Sequence, residues 1–141
     1  MFSIVSSEVN EVLSQEETLA RLKDLSHIPY TVTLDDDPVM AKIIEETLSI
    51  KNFAFVSSEQ LLDVSKHLAP IGAFIDIHLG EECGLDIIPK LRSIWPMTAI
   101  IVISGDESDQ SVTQALAAGA DDFIRKPVSP AEVVARLRAR I

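Results

Sequence analysis

The sequence predicts an α/β domain, a doubly wound five-stranded parallel sheet with helices on both faces, on three observations. Five short apolar runs are mostly continuous rather than alternating, the pattern of strands buried on both sides. Segments of helical period separate these runs, several of them opened by a recognisable start signal. Strand and helix alternate in order, which implies β-α-β units, right-handed crossovers and helical cover on each face.

The first strand is read at Tyr30–Leu34, and the others at residues 53–56, 73–77, 99–103 and 123–124 with their flanks. Asp37-Pro38 supplies an N-cap and an N1 proline for a helix running to about Ile50. Ser57 with Gln60 makes a capping box ahead of Leu61-Leu62. Pro89 would damage a helix interior, so its helix is expected to start near Leu85 or Asp86, where first-turn amides have no intrahelical partner. Ser129-Pro130-Ala131-Glu132 joins a capping box to an N1 proline and opens the last helix toward Arg140. Residues 1–29 fall outside the alternation. There Ser14 and Glu17 form another capping box, with Leu19, Leu22 and Leu25 at helical spacing. The expected organisation is a helical N-terminal extension, residues 1–29, and one α/β domain, residues 30–141. That extension reads either as a helix packed on the domain or as a dimerisation helix.

Composition narrows the function classes. Twelve Lys+Arg against 22 Asp+Glu give a formal charge of −10 over 141 residues, which repels phosphate backbones and anionic membrane surfaces. No direct nucleic-acid or membrane partner is expected. Cys83 is the only cysteine, which excludes intrachain disulfides and multi-thiolate metal sites. No run approaches the roughly 20 apolar residues of a membrane span. Met1-Phe2-Ser3-Ile4-Val5 lacks the basic and long apolar regions of a signal peptide, so the expectation is a soluble cytoplasmic domain. His27 and His67 have no second ligand at metal spacing, and Trp95 is expected to pack at a helix end before Pro96.

In open parallel sheets, ligands bind beyond the carboxyl ends of the strands. Four of the five strands end there in polar groups: Leu34-Asp35-Asp36-Asp37, Ile75-Asp76-Ile77, Ile103-Ser104-Gly105 and Arg125-Lys126-Pro127. Asp76 sits between isoleucines, where a carboxylate is costly unless a metal, a cation or hydrogen bonds compensate it. Converging carboxylates repel one another and need protons or a divalent cation. Oxygen-only ligands favour a hard ion, and Mg²⁺ (or Mn²⁺) leaves positions for phosphate oxygens. An aspartate beside such an ion can attack phosphorus and become an aspartyl phosphate. Lys126 would balance the added charge, and the Ser104 hydroxyl could donate to a phosphoryl oxygen. Asp37 reads as the helix cap rather than as a ligand.

This constellation resembles the receiver domain of two-component response regulators, over residues 30–141. The resemblance rests on the acidic pair after strand one, Asp76 in strand three and Gly84 eight residues on. Ser104-Gly105 follows strand four, Gly119-Ala120-Asp121-Asp122-Phe123 leads into strand five, and Lys126-Pro127 follows it. It implies a flavodoxin-like fold of strand order 2-1-3-4-5. It further implies Asp76 as phosphoacceptor, and Asp35, Asp36, Asp76 and the backbone carbonyl of His78 as Mg²⁺ ligands. Ser104 and Phe123 would be the switch pair, Lys126 the phosphate-contacting lysine, and Lys126-Pro127 a cis peptide. His78 and Asp106 occupy the two positions that tune acyl-phosphate lifetime in the family. Gly80 stands where family members often have proline, which departs from the pattern.

The implied partners are a histidine kinase or phosphotransfer protein as donor, and a downstream effector or a covalently linked output domain as target. The face formed by helix four, strand five and helix five, near Asp121, Asp122, Arg136 and Arg138, is one the family uses for docking or a homodimer. The chain would not be an enzyme beyond its own phosphotransfer and autodephosphorylation. Two alternatives stand beside this reading. A phosphatase with an aspartate nucleophile, of the haloacid-dehalogenase type, needs Asp-x-Asp, and His78 stands in the second place. A degenerate receiver acting as a phosphorylation-independent binding module would not need the complete site.

Overall fold

The computed structural model describes residues 4–6, 11–13, 16–17, 28–79, 82–105 and 109–141. In chain order its strands are β1 Ile4–Ser6, β2 Glu11–Leu13, β3 Tyr30–Leu34, β4 Lys51–Phe55, β5 Gly72–Asp76, β6 His78–Leu79, β7 Glu82–Cys83, β8 Ala99–Ser104 and β9 Asp122–Arg125. Its α-helices are α1 Val39–Leu48, α2 Ser58–Val64, α3 Ile88–Ile94, α4 Asp109–Ala118 and α5 Pro130–Arg138.

The five expected strands pair in parallel as β4-β3-β5-β8-β9, which is 2-1-3-4-5 when those five are counted along the chain. Alternate side chains feed two cores. Val32, Leu34, Phe53, Phe55, Ile75, Ile100 and Val102 pack with Leu61, Val64, Ile88, Leu91 and Trp95 of the segments around α2 and α3. Phe74, Ile101, Ile103 and Ile124 pack on the other face with Ile44 of α1 and Val133 and Leu137 of α5. Continuous apolar strands are therefore the direct consequence of helical cover on both sides. Among the described residues, no helix is long and apolar enough to cross a membrane.

The N-terminal extension differs from the expectation. β1 and β2 form an antiparallel hairpin, and β1 joins the outer edge of β4, so the sheet has seven strands and is mixed. Three-residue strands carry no periodicity signal; the edge of β4 gives β1 its partner, and β1 gives β2 its own. The expected helix lies outside the described residues except for Glu16 and Glu17, which are helical.

The α2 and α5 starts fall where expected, after Ser57 and Ser129, while α1 and α3 start later than expected. α1 begins at Val39 with Pro38 at the N-cap, and Asp37 Oδ1 accepts from the Val39 amide at 3.0 Å. The box before α2 forms with Ser57 Oγ accepting from Gln60 N at 3.3 Å, while Gln60 Oε1 reaches the Val56 amide at 3.3 Å. A 3₁₀ turn, Gly84–Asp86, precedes α3, which places Pro89 in the first turn. At α5 the expected box does not form. The Ser129 side chain makes no capping bond, and its carbonyl takes the amides of Glu132 and Val133, each at 3.1 Å.

Candidate functional site

Parallel pairing brings the ends of β3, β5, β8 and β9 to one edge of the sheet. Asp35 follows β3 and is held by backbone: its amide donates to Phe55 O at 3.0 Å, and its Oδ1 accepts from the Asp37 amide at 2.8 Å. Asp76 closes β5, with Oδ1 accepting from His78 N at 2.9 Å. Both carboxylates are buried, while Asp36 between α1 and β3 is exposed. Each of the three offers an oxygen within 4.8 Å of the others. Lys126, just beyond β9, places Nζ 3.1 Å from Asp76 Oδ2 and 3.4 Å from Asp35 Oδ2. Its amide donates to Ser104 O at 2.9 Å, which ties the lysine to the end of β8. Ser104 is fully buried, and Phe123 lies one residue inside the start of β9, also buried.

The donor set fits a hard divalent cation. All three side-chain donors are carboxylate oxygens, and one ammonium balances only one of three negative charges. Burial raises the Asp35 carboxyl above the usual aspartate range and the Asp76 charge adds to the rise, against the opposing pull of the Asp37 amide and Lys126. Burial draws the Lys126 ammonium down, but its hydrogen bond to Asp76 and the charges of Asp35 and Asp76 outweigh that and leave it above the usual lysine value.

The Asp35 shift has a measurable sign. The folded chain keeps the Asp35 proton at pH values where the unfolded chain has released it. That stabilisation is complete below the ordinary aspartate range and is lost as pH rises through the folded value. With no divalent ion present, Asp35→Asn is expected to flatten this decline and to exceed the parent in stability above the window. Urea midpoints measured from about pH 3.5 to pH 7 read the difference; parallel profiles would reject it.

Gly84 has a role that its spacing alone does not reveal. A Cβ there would overlap the Asp76 carbonyl oxygen and lie 2.9 Å from Ile77 Cα. The Gly84 amide donates to Ile77 O at 2.9 Å, so the 3₁₀ turn leans directly on the end of the Asp76 strand. Between them β6 and β7 form a small hairpin with His78 opposite Cys83, a feature the sequence reading leaves as loop. His78 and Cys83 are both exposed. Asp106 lies outside the described residues. Lys126-Pro127 is cis, as the resemblance implies.

Asp121, near the expected docking face, is half-buried and bonded into the fold. Its Oδ2 accepts from Arg92 at 2.6 Å and from the Ile100 amide at 2.8 Å. Asp122 meets Arg136 at 3.4 Å, across the β9–α5 side. Trp95 is buried at the end of α3, and its indole donates to Ser65 O at 2.8 Å.

Comparison with known proteins places this geometry. The family model described as the response regulator receiver domain matches residues 32–138. The chain is 38% identical over 120 residues to the regulatory protein VirG of Rhizobium rhizogenes, covering 79% of this chain and 48% of that one. It is 28% identical over 113 residues to the transcriptional regulatory protein KdpE of Mycobacterium tuberculosis, covering 78% and 50%. The chain spans about half the length of the curated relatives it matches. Among solved structures, a Burkholderia pseudomallei response regulator with a phosphorylated aspartic acid, calcium ion and citrate superposes with a TM-score of 0.72 at 25% identity, over 77% of this chain and 66% of that one. The BeF3-activated DrrB receiver domain gives a TM-score of 0.70 at 27% identity, over 78% and 94%.

Proposed function

Because the chain belongs to the response regulator receiver domain family, we propose that it is a phosphorylation switch whose acceptor is Asp76. The observation that carries the reading is the joint placement of Asp35, Asp36 and Asp76 within 4.8 Å with Lys126 bridging two of them. A histidine kinase or phosphotransfer protein supplies the phosphoryl group. One Asp76 oxygen attacks phosphorus, the P–N bond to the donor imidazole breaks, and the imidazole leaves with that electron pair. Asp35, Asp36, Asp76 and the His78 carbonyl would hold Mg²⁺ or Mn²⁺, which would supply charge neutralisation at the transferring group.

The protein's own groups do the rest. The His78 amide and the Lys126 ammonium each hold one Asp76 oxygen and so fix the carboxylate's orientation. Lys126 then stabilises the phosphoryl oxygens, and the Ser104 hydroxyl donates to one of them. Ser104 and Phe123 shift inward and bias the α4–β9–α5 face toward its active arrangement, which takes a few kcal/mol of differential stabilisation. That face regulates an effector or a linked output domain, and offers a homodimer contact. His78 and Asp106 set how fast the acyl phosphate hydrolyses. The domain works in the cytoplasm, where such donors are found. The meeting of Asp35, Asp36, Asp76 and Lys126 favours the switch over the degenerate-module reading.

The test is incubation with a small acyl phosphate, with and without Mg²⁺. Label that is acid-stable, hydroxylamine-labile and lost on chelation supports the reading. Equal labelling in excess chelator would sink it.

A further inference from the structure

α4 is held unevenly. Among its described side chains only Ser111 and Ala115 are buried, Val112 and Ala118 are partly so, and Leu116 faces solvent. α3, by contrast, seats Ile88 and Leu91 fully in the core, with Trp95 buried just beyond it. Small side chains give little lateral grip, so the ends of α4 decide where it sits.

Its C-terminal end is fastened. Gly119 stands at φ +120°, its amide donating to Leu116 O at 3.1 Å and the Ala120 amide to Ala115 O at 3.1 Å, a Schellman closure. The Gly119 carbonyl accepts twice from Arg92, from Nε at 3.1 Å and an NH2 nitrogen at 3.0 Å. The same guanidinium donates to Asp121 Oδ2 at 2.6 Å and to the carbonyls of Trp95, Pro96 and Thr98 at 3.3, 3.3 and 2.8 Å. Asp121 in turn bonds β8 through both its carboxylate and its amide, the latter to Ile100 O at 2.7 Å. One side chain thus stitches the end of α3, the start of β8, the cap of α4 and the approach to β9. The opposite end of α4 follows Ser104 and Gly105 along the chain.

Resting on the switch reading above, we propose that Arg92 is a positioning residue. It anchors the C-terminal end of α4, so that a displacement begun at Ser104 moves the helix's N-terminal end and stops short of Gly119. The guanidinium uses all three of its nitrogens, a fork that lysine cannot reproduce.

The experiment compares amide exchange and chemical shifts of the whole chain, free and with beryllofluoride plus Mg²⁺, for the parent, Arg92→Met, Arg92→Lys and Asp121→Asn. In the parent, shift changes over residues 109–113 are expected to exceed those over 116–121. Both Arg92 variants should speed exchange at Gly119 and Ala120 by about tenfold or more without the probe, and spread the probe's effect through residue 121. Acyl-phosphate labelling should stay within about twofold, because Arg92 touches none of the site. A lower urea midpoint with the response pattern unchanged would mean a merely structural role and overturn the proposal, as would rescue by lysine. Should Arg92→Met not fold, Asp121→Asn gives the same readouts. A parent chain that neither labels nor responds to beryllofluoride refutes the switch reading instead, while unchanged ligand-free exchange in the variants refutes the anchor.

Discussion

Asp76→Asn is expected to reduce acyl-phosphate labelling by at least about 10³-fold, the scale of losing a nucleophile. The side chain it replaces is buried, aimed by the His78 amide at 2.9 Å and by Lys126 at 3.1 Å. An asparagine carbonyl can keep the first of these bonds, but an amide oxygen does not form a stable phosphoryl ester. Misfolding would not account for the loss. The substitution removes one buried charge from beside Asp35, which offsets the weakened pairing with Lys126, so unfolding free energy should stay within about 1 kcal/mol of the parent. The variant should also respond less to the ion. Mg²⁺ at about 100 times its dissociation constant adds about 2.7 kcal/mol to a domain that binds it only when folded. Asp76→Asn should lose most of that increment. Labelling followed by urea titration with and without Mg²⁺ reads all three quantities, and a variant that labels like the parent removes Asp76 from its role.

Much of this was legible before any coordinates. Strands buried on both faces are mostly apolar, so the five runs already specified the parallel sheet and the end at which ligands bind. Asp76 announced itself because a carboxylate between two isoleucines needs compensation, and Lys126 supplies it from a strand 50 residues away. What stayed hidden depends on contacts that no local pattern encodes. β1 and β2 are too short to show a period; β1 exists by pairing with the edge of β4, and β2 by pairing with β1. Asp121 looks like any acidic surface residue until Arg92, 29 positions earlier, is seen to meet it. Ser129 has the composition of a capping box, yet the backbone amides behind it turn to its carbonyl.

Gly84→Ala should combine the largest loss of stability with a defect in the chemistry. Glycine is required here by crowding, since among the described glycines only Gly119 has a positive φ. The methyl group would meet the Asp76 carbonyl oxygen, Ile77 Cα at 2.9 Å and Asp76 C at 3.1 Å, all backbone atoms that no rotamer change can move aside. Relief requires shifting either the 3₁₀ turn or the end of β5, at about 1–3 kcal/mol by the usual cost of overpacking. Movement of β5 carries Asp76 with it, and misplacing a reacting group by about 1 Å can cost about 10²-fold in rate. Gly105 is the control, because among the described residues a Cβ there meets nothing within 4 Å. Gly105→Ala should therefore leave stability within about 0.5 kcal/mol of the parent. The decisive comparison is labelling at a temperature where both variants are fully folded. If Gly84→Ala labels at the parent rate despite a lowered urea midpoint, the strain has been absorbed by the turn, and the close packing of Gly84 on Asp76 serves the fold alone.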